Sequence, residues 1–293
     1  MKGIILAGGV GSRLYPLTLV ASKQLLRVFD KPMIYYPLTT LMASGIRRYC
    51  LISTPRDAPR YHQLLGDGSR WGISIEYRTQ PEPDGIAQAF IIAESFIGSD
   101  HVTLILGDTV FFGGNSFPRA FAEFKSGAMI FGYYVNEPHR YGVVEFGEQD
   151  RVISIEEKPA QPRSSYAVPG VYIYDNQVVG IAKGLKPSSR GQLEITDVNV
   201  EYLRRGQLRA VRLSRGFAWM DARTSSSLHD ASAYVQTIEK RQWLKLGCPE
   251  EAALRRGFLS LAQFEELVAA MPHCEYREYL NDLVVTEARR LNK

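Results

Sequence analysis

Hydrophobic and polar positions in the first part of the chain follow the strand and helix alternation that is typical of α/β proteins. Short apolar segments recur, and they predict strands at residues 3–6, 49–53, 73–77, 102–107 and 129–135. Residues 104–106 are continuously apolar, as in a strand buried on both faces. Apolar residues at helical spacing over 86–96 predict a helix on this sheet, with Asp84 as its cap. We therefore expect an α/β fold whose Rossmann-like, mixed and mostly parallel sheet is flanked by helices.

From residue 141 the pattern changes to strict alternation. Two alternating segments around the polar turn at 147–150 predict a β-hairpin over 141–156. The chain then returns to the sheet, with strands predicted at 166–174 and 208–213 and helices at 177–185 and 197–205. Helical periodicity follows over 227–244, 250–256, 261–270 and 276–290. We expect an α/β core over 1–223, divided into halves at 1–110 and 111–223, and a helical C-terminal region over 224–293 for packing and assembly.

Composition narrows the class of protein. The chain has 293 residues, 45% of them hydrophobic, which supports a full-sized core. Its net charge of +4 is too mild for a nucleic-acid-binding surface. The three cysteines are far apart in sequence, so neither a disulfide framework nor a zinc cluster is indicated. The sequence shows neither a secretory signal nor an apolar run long enough to span a membrane, so a cytoplasmic protein is expected.

A glycine-rich turn follows the first predicted strand. Gly8, Gly9 and Gly11 let neighbouring backbone N–H groups turn inward, where they can hold anionic oxygens. Arg13 adds a cation beside this turn, and Lys23 can fold back over it. The spacing fits neither the dinucleotide-binding fingerprint nor the P-loop. A phosphate-binding loop is the functional interpretation, and a tight strand-to-loop turn is the alternative.

The segment from residue 6 to residue 18, with Lys23, matches the L-A-G-G-x-G-[ST]-R-L-x-P-[LM]-T signature of the sugar-1-phosphate nucleotidylyltransferases. Further segments resemble the glucose-1-phosphate thymidylyltransferases of that family, at 29–37, 63–68, 80–85, 141–146, 156–159, 193–199 and 248–251. The resemblance implies the nucleotide-diphospho-sugar transferase fold and transfer of a nucleotidyl group from dTTP to glucose 1-phosphate. The alternatives are the same chemistry on another hexose 1-phosphate or with UTP, and a non-catalytic paralogue that binds a nucleotide sugar.

Such a transfer needs cations around the triphosphate, carboxylates for a divalent metal and a separate cation for the sugar phosphate. The attacking phosphate is already ionised, so no catalytic base or covalent intermediate is required. Asp108 follows a buried strand, where ligands bind in open α/β sheets, and is the first candidate Mg²⁺ ligand. An aspartate that only caps the next turn is the alternative. The resemblance implies Asp221 as the second ligand and a catalytic set of Arg13, Lys23, Asp108, Lys158 and Asp221.

The resemblance also implies two sets of binding residues. The nucleotide-binding set is Leu6, Gly8, Gly9, Gly11, Ser12, Arg13, Gln24, Gln80, Gly85 and Asp108. The sugar-phosphate-binding set is Tyr141, Gly142, Glu157, Lys158, Gly170 and Trp219, with Lys158 on the phosphate and Glu157 on the sugar hydroxyls. A solvated charge run at 156–158 and a strand bend at Gly142 are the structural alternatives.

A regulatory site between the subunits of a homotetramer is a further implication of the resemblance. Its counterparts here are Arg215, Glu250, Glu251 and Arg255, and the alternative is that Glu250 and Arg255 are ordinary solvated charges. The family's Tyr-Gly-His after the metal aspartate is replaced by residues 112–114, Phe-Gly-Gly, which argues against feedback binding.

Other departures from the family pattern lie in or beside the predicted site, at Arg27, Thr109, Pro169, Ala222 and Arg223. They predict altered sugar specificity or reduced turnover. Arg223 stands where the family has glycine, and three interpretations are open. It points to solvent, it lowers activity that glycine would restore, or it holds an unusual anionic group of the substrate. We favour the second.

Overall fold

The computed structural model describes residues 1–9 and 11–291. The strands are β1 (Lys2–Ala7), β2 (Arg27–Val28), β3 (Lys31–Pro32), β4 (Arg48–Ser53), β5 (Ser74–Thr79), β6 (Val102–Leu106), β7 (Thr109–Phe112), β8 (Ala128–Tyr134), β9 (Gly142–Phe146), β10 (Val152–Glu157), β11 (Tyr166–Ala167), β12 (Val171–Tyr174), β13 (Leu208–Arg212) and β14 (Ala218–Asp221). The α-helices are α1 (Tyr35–Ala43), α2 (Ala58–Leu65), α3 (Gln88–Ile92), α4 (Glu94–Ile97), α5 (Ser116–Glu123), α6 (Gln177–Gly184), α7 (Ile195–Arg204), α8 (Ser225–Gln242), α9 (Pro249–Arg255), α10 (Leu261–Ala269) and α11 (Glu275–Leu291).

The central sheet is mixed, as the sequence predicts. Its strands run in the order β10-β9-β11-β8-β12-β6-β1-β4-β5, with β13 added alongside β8. The first half of the chain, residues 1–110, supplies β1, β4, β5 and β6, which pair in parallel, and Ile5 of β1 lies level with Leu51 of β4 and Ile105 of β6. In the second half β13 also pairs in parallel, with β8. The second half, residues 111–223, supplies β8 to β12, whose pairings with one another and with β6 are antiparallel. The two halves therefore share one continuous sheet.

Each face of this sheet carries its own hydrophobic core. Ile4 and Leu6 of β1 lie in one core with Phe90 of α3, whereas Ile5 lies in the other with Leu38 of α1. Neighbouring β1 residues alternate between the faces because successive side chains of a strand point in opposite directions. Helices on both faces cover the sheet, so β1 is buried along its whole length.

Two predicted elements differ from the structure. The strand predicted over 166–174 is divided at Pro169 into β11 and β12. Both pair with β8, but β11 also pairs with β9 and β12 with β6. Proline has no backbone N–H, so it interrupts a ladder of hydrogen bonds. The helix predicted to begin after Asp84 begins only at α3, because Gly85 has a φ of 111°. Asp84 accepts a hydrogen bond from the side chain of Gln88 (2.7 Å) rather than capping a helix.

The C-terminal helices are packed into the α/β core. Ala252 and Ala253 of α9 lie in the same core as Ile5, and Val235 of α8 packs in a further cluster with Val28 of β2. The change at residue 224 is therefore a change of secondary structure, and the hydrophobic packing continues across it. Among the helices that the structure describes, none has the length and apolar character needed to cross a membrane.

Buried charges also join these helices to the first half of the chain. Lys31 of β3 contacts Glu239 of α8 at 2.8 Å, and both side chains are buried. Lys245 contacts the same glutamate (3.0 Å) and Asp30 (2.6 Å), and Lys31 also pairs with Asp30. These four residues are the buried charge network. Lys31 and Glu239 are its buried members, Lys245 is half-buried and Asp30 is exposed. Each of the two buried charges has a partner of opposite sign, which buried ions require.

Candidate active site

The predicted nucleotide-binding residues meet at one edge of the sheet. The carboxyl ends of the parallel strands β1, β5 and β6 lead into the glycine-rich loop, into Gln80 and into Asp108 respectively. Ligands of open α/β sheets bind at this edge, because the loops that follow parallel strands converge there. The order of the strands therefore brings together groups that are up to a hundred residues apart in sequence.

The glycine-rich loop has the backbone that the sequence predicts. Gly9 and Gly11 have φ angles of 91° and 63°, in the left-handed region that favours glycine. A Cβ added to Gly11 would lie 2.9 Å from the side chain of Thr18, whose hydroxyl donates to the carbonyl of Gly11 (3.2 Å). Arg13 follows on an exposed turn of 3-10 helix. This backbone needs glycine at both positions.

Two neighbouring cavities open at this edge. The first cavity, of about 280 Å³, contains most of the predicted nucleotide-binding residues together with Glu157 and Lys158. The second cavity, of about 500 Å³, contains Arg13, Tyr141 and Asp221. Three cationic side chains line both cavities: Lys158, Arg190 and Arg223. The two cavities are therefore parts of one basic site.

Asp108 lies at the bottom of the first cavity and is almost completely buried. Its Oδ2 accepts a hydrogen bond from Lys23 Nζ at 2.5 Å and lies 3.6 Å from Arg223 Nε. Burial alone would raise the pKa of this carboxyl, but the charges of Lys23 and Arg223 hold it below its ordinary value of 3.8. Asp108 is thus an ionised carboxylate at neutral pH. Lys23, which the sequence predicts to fold back over the glycine-rich loop, places its Nζ on Asp108.

Asp221 comes from the second half of the chain and meets Asp108 through strand pairing. It ends β14 opposite Thr109 of β7, and the next N–H, that of Ala222, donates to the carbonyl of Asp108 (3.2 Å). The hydroxyl of Tyr141 donates to Asp221 Oδ2 at 3.0 Å. Burial, followed by the nearby charge of Asp221, raises the pKa of Tyr141, so its hydroxyl remains a hydrogen-bond donor.

Glu157 and Lys158 line the first cavity at the end of β10. Glu157 accepts hydrogen bonds from Thr196 (2.6 Å) and Arg190 (3.1 Å), and its carboxylate lies 3.4 Å from Lys158 Nζ. Lys158 has a φ of 46°, which is unusual for a residue with a side chain. Such strained positions are concentrated at functional sites. The interpretation of 156–158 as a solvated charge run does not fit Glu157, which is held by these partners.

Gln24 and Gln80 both line the first cavity, but their amides differ in what they can offer. Gln24 is buried, donates to the carbonyl of Gly8 (3.2 Å) and accepts from Ser22, so its amide supports the loop. Gln80 donates to Gln88 (2.6 Å) and to the carbonyl of Gly85 (3.1 Å). These bonds use its two N–H donors and leave its carbonyl oxygen as the acceptor for a base.

Some predicted residues contribute to the packing around the cavities rather than to their lining. A Cβ added to Gly170 would lie 2.6 Å from the side chain of Leu106, so glycine is needed for strand packing. A Cβ on Gly142 would lie 3.4 Å from Glu157, so this glycine leaves room for the carboxylate. Trp219 packs against Tyr141 with ring centroids 5.0 Å apart. Ser12 lines a separate hollow with Thr18. These four residues line neither cavity.

Sequence reasoning missed three charged residues of the site, Arg140, Arg190 and Glu194. Arg190 lines both cavities and contacts Glu157 (3.1 Å) and Glu194 (2.8 Å). Arg140 and Glu194 each line one of the two cavities. The available signal was the short polar loop at 187–192, with Gly191 inside it, which comes directly before the family-like segment at 193–199.

The residues that depart from the family pattern differ in burial and in what they contact. Arg27 is exposed on β2, whereas Thr109 is buried and donates to the carbonyl of Leu106 (2.8 Å). Ala222 is fully buried. Arg223 points into the site and lines both cavities, so the interpretation that it points to solvent is wrong.

The predicted regulatory residues do not line one cavity together. Arg255 lines a third cavity, of about 770 Å³, with Gly113 and Gly114 of the departing segment. Glu250 is buried and accepts hydrogen bonds from Trp71 (3.0 Å) and Tyr276 (2.5 Å), so its interpretation as a solvated charge is wrong. Glu251 accepts from Tyr279 (2.6 Å) and from Arg255 (2.7 Å), and Arg215 is exposed outside that cavity. Both glutamates hold the last helix against α9.

A divalent metal fits the two aspartates under one condition. Within residues 1–9 and 11–291 no group of three histidine, cysteine or acidic side chains forms a metal site. Mg²⁺, however, is usually held by only one or two carboxylates, with water and substrate phosphates completing the shell. Asp221 ends β14, and Asp108 directly precedes its paired strand β7, so the two residues provide two carboxylates at neighbouring positions. The residues fit Mg²⁺ if the substrate supplies oxygen ligands.

The arrangement is suited to joining two phosphate compounds. Lys23 and the loop N–H groups lie on one side of the first cavity, and Lys158 and Arg190 belong to other elements that line it. Two sets of cations can hold two anionic groups close together without either occupying the place of the other. The cysteines are elsewhere, since Cys50 and Cys248 are buried in the cores and Cys274 is exposed. The site is therefore built for positioning and charge neutralisation rather than for covalent catalysis.

Known proteins share both the sequence and the fold. A family model described as nucleotidyl transferase matches residues 2–238. A glucose-1-phosphate thymidylyltransferase of Mycobacterium tuberculosis (strain ATCC 25618 / H37Rv) is 54% identical, with 97% of this chain and 99% of that protein covered. A protein of the same name from Neisseria meningitidis serogroup A is also 54% identical, with 96% and 98% covered.

Solved structures agree with these matches. A crystal structure described as a glucose-1-phosphate thymidylyltransferase from Bacillus anthracis, in complex with a sucrose, has a TM-score of 0.75 and 44% identity, covering 80% of this chain and 94% of that one. A UDP-glucose pyrophosphorylase complexed with UDP-glucose has a TM-score of 0.71 at 21% identity, covering 80% and 98%, and supports the fold alone. The sheet, the loop geometry and these matches together show that this chain belongs to the nucleotidyl transferase family.

Proposed function

We propose that this enzyme transfers the thymidylyl group of dTTP to glucose 1-phosphate, giving dTDP-glucose and pyrophosphate. The observation that carries the proposal is one basic site of two cavities, the first with Lys23 and Asp108 and the second with Arg13 and Asp221. Lys158, Arg190 and Arg223 line both of them. We take the two substrates from the names of relatives that are 54% identical to this chain over almost its whole length. A likeness of this extent supports the same reaction class.

The reaction proceeds by direct displacement at the α-phosphorus of the nucleotide. Arg13, Lys23 and the loop N–H groups hold the triphosphate, and Lys158 and Arg190 hold the sugar phosphate. An oxygen of the sugar phosphate attacks the α-phosphorus, and the bond to the bridging oxygen of pyrophosphate breaks. The protein aligns the two substrates and surrounds the charge that shifts to the leaving group.

We propose Mg²⁺ as the metal, held by Asp108 and Asp221 together with phosphate oxygens. Its charge would stabilise the transferring and leaving oxygens when it is bound. Asp108 is ionised and buried, and Asp221 is oriented by Tyr141, so both carboxylates are available as ligands. Lys23 and Arg223 lie beside Asp108, and Arg223 also lines the second cavity with Asp221.

We propose that two residues lining the first cavity select the substrates, Gln80 for the base and Glu157 for the sugar. The carbonyl oxygen of Gln80 can accept the imide N–H of a thymine or uracil ring, so this contact favours pyrimidines without distinguishing between the two. Glu157 can accept sugar hydroxyls beside Lys158. Another hexose 1-phosphate, or UTP, remains the alternative that a substrate panel separates.

The test is pyrophosphate release measured with a panel of nucleotides and sugar phosphates, with Mg²⁺ and with a chelator. We expect the highest kcat/KM for dTTP with glucose 1-phosphate, and loss of the activity on chelation. A higher kcat/KM for another pair would contradict the substrate assignment. Tight nucleotide binding without pyrophosphate release for any pair would favour the non-catalytic paralogue.

We also propose a cytoplasmic homotetramer. Free cysteines suit a reducing compartment. For assembly, Leu254, Leu261 and Leu267 of the C-terminal helices are partly exposed, whereas Phe264 is fully buried in this chain's own core. Partly exposed leucines on neighbouring helices provide apolar area for an interface. A monomeric mass by light scattering would contradict the tetramer and leave the catalytic proposal intact.

A further inference from the structure

Arg223 occupies a position between the two candidate metal ligands. It follows β14, two residues after Asp221, and its Nε lies 3.6 Å from Asp108 Oδ2. Its side chain is only 26% exposed and lines both cavities. The guanidinium is therefore part of the site itself.

The charges at this point are balanced without any metal. Asp108 contacts Lys23 at 2.5 Å and Arg223 at 3.6 Å, and Asp221 lines the second cavity together with Arg223. The guanidinium is charged throughout, because an arginine side chain is not deprotonated in proteins. Two carboxylates thus face two cations. The aspartate pair is already neutralised in the free protein.

This balance changes the energetics of metal binding. A pair of unpartnered carboxylates attracts a divalent cation strongly, because each opposite charge at contact distance contributes to the binding free energy. Here a metal ion must either displace Arg223 and Lys23 from Asp108 or bind against their repulsion. A triphosphate removes the difficulty, because its oxygens bring the negative charge and also accept the guanidinium in place of Asp108.

We infer that Arg223 is a built-in counter-ion for Asp108 and Asp221, so that the divalent metal binds weakly to the free enzyme and tightly only together with the nucleotide. The inference rests on the proposed metal site, and it goes beyond it in specifying an order of binding. It also changes the favoured interpretation of this departure from the family pattern. Arg223 makes metal binding depend on the nucleotide instead of only lowering activity.

The experiment is a titration with Mn²⁺ alone, followed by electron paramagnetic resonance, on the full-length protein and its variants. We expect weak binding to the wild type and at least about tenfold tighter binding to Arg223→Ala, since removal of one unit charge next to the carboxylates is worth at least that factor. Arg223→Lys keeps the charge and should bind Mn²⁺ as weakly as the wild type. Arg223→Gln keeps the length and should behave like Arg223→Ala.

Arg140→Ala is the matched control. Arg140 lines the second cavity but its guanidinium contacts Glu137 (2.7 Å). Its removal takes one cation from the same site but leaves Lys23 and Arg223 beside Asp108, so the Mn²⁺ affinity should change by less than about threefold. Circular dichroism and melting temperature establish that each variant is folded. Equal Mn²⁺ affinities for folded wild type and folded Arg223→Ala would overturn the inference.

Water-proton relaxation measures the second half of the inference, because it distinguishes protein-bound Mn²⁺ from Mn²⁺ bound to dTTP in solution. Addition of dTTP without sugar phosphate should increase the affinity of the wild type for Mn²⁺ by at least about tenfold, and the increase should be much smaller in Arg223→Ala. An equal increase in both proteins would also overturn the inference.

Pyrophosphate release, assayed separately, distinguishes failure of the inference from failure of the proposed function. Release from dTTP and glucose 1-phosphate with no effect of Arg223 on Mn²⁺ binding would overturn the inference alone. A tenfold effect of Arg223 without any release would support the counter-ion and overturn the proposed function. Absence of Mn²⁺ binding to Arg223→Ala, with and without dTTP, would overturn the inference and the metal assignment together.

Discussion

The first and second halves of the chain contribute to one site in different ways. The first half presents main-chain groups and amides, held by the glycine-rich loop and by bonds such as that from Gln24 to Gly8, together with Arg13 and the ion pair of Lys23 and Asp108. The second half presents charged side chains that are held by one another, as Arg190 is by Glu157 and Glu194. Backbone donors are fixed by the fold, whereas an ion-pair network can be changed by a single substitution. We therefore expect the second half to be where specificity and regulation vary.

Asp108 and Asp221 lie where the two halves of the chain meet, and their replacement should have the largest effect on activity. Asp108→Asn and Asp221→Asn should each reduce kcat by about two orders of magnitude or more, because each removes an electrostatic contact to the transition state. Steady-state pyrophosphate release measures the change. Asp150→Asn is the control, since Asp150 is exposed and pairs only with Arg212 at the surface. Wild-type rates in either aspartate variant would remove the metal assignment.

The division between nucleotide and sugar phosphate is tested by Lys158. Lys158→Ala should increase the KM for glucose 1-phosphate by about ten- to a hundredfold, the value of one charge-assisted hydrogen bond, and change the KM for dTTP much less. Arg163→Ala serves as the control because Arg163 is exposed and pairs with Glu156 (3.2 Å) outside the cavities. Equal increases in both KM values for Lys158→Ala would show that the two halves do not hold separate phosphates.

Two glycines of the first half make a matched pair for stability. Gly85 and Gly9 both have positive φ angles, 111° and 91°, but only at Gly85 would a Cβ overlap the main chain of Leu193 in the second half. Gly85→Ala should lower the free energy of unfolding by about 3 kcal/mol and Gly9→Ala by about 1 kcal/mol. Urea denaturation measures both. Similar losses of unfolding free energy in the two variants would mean that overlap with Leu193 adds nothing to the strain of the positive φ angle.

The smallest expected effect is a pH dependence of stability due to Asp108. Because Lys23 and Arg223 lower the pKa of this carboxyl in the folded protein below 3.8, its ionised form contributes stability above that pH, and the contribution is lost as pH falls through the lowered pKa. The difference in melting temperature between wild type and Asp108→Asn should be constant from about pH 5 to pH 8 and change only in more acidic solution. A change centred near neutral pH would contradict the lowered pKa.

The sequence was most informative where structure is determined locally. The apolar segments predicted the parallel strands, and the positive φ angles of Gly9 and Gly11 follow from the spacing of the loop glycines. Pro169 also carried a local signal, since proline rarely occurs inside a paired strand, yet the strand was predicted to continue through it. The strands and the loop could therefore be predicted, apart from errors in where individual elements end.

The rest of the site depends on contacts between residues that are distant in sequence. Arg190 reaches the site because Glu157 and Glu194 hold its guanidinium, and Leu193 reaches the first half through a hydrogen bond to Asp84 (2.7 Å). Glu250 is buried only because Trp71 and Tyr276 provide donors. Periodicity describes one element at a time, so it cannot identify partners that the tertiary fold supplies.

The buried charge network determines how the molecule unfolds. The matched family region ends at residue 238, immediately before Glu239, which neutralises the buried Lys31 of the first half. If α8 opened alone, Lys31 would keep Asp30 as a partner but lose its buried glutamate, and breaking a buried ion pair costs up to about 3–5 kcal/mol. Partial opening of the C-terminal helices is thereby suppressed, and slow amide hydrogen exchange in α8 should match that of the central strands. The end of α8, which extends past the matched family region, thus takes part in the cooperative unit that contains the active site.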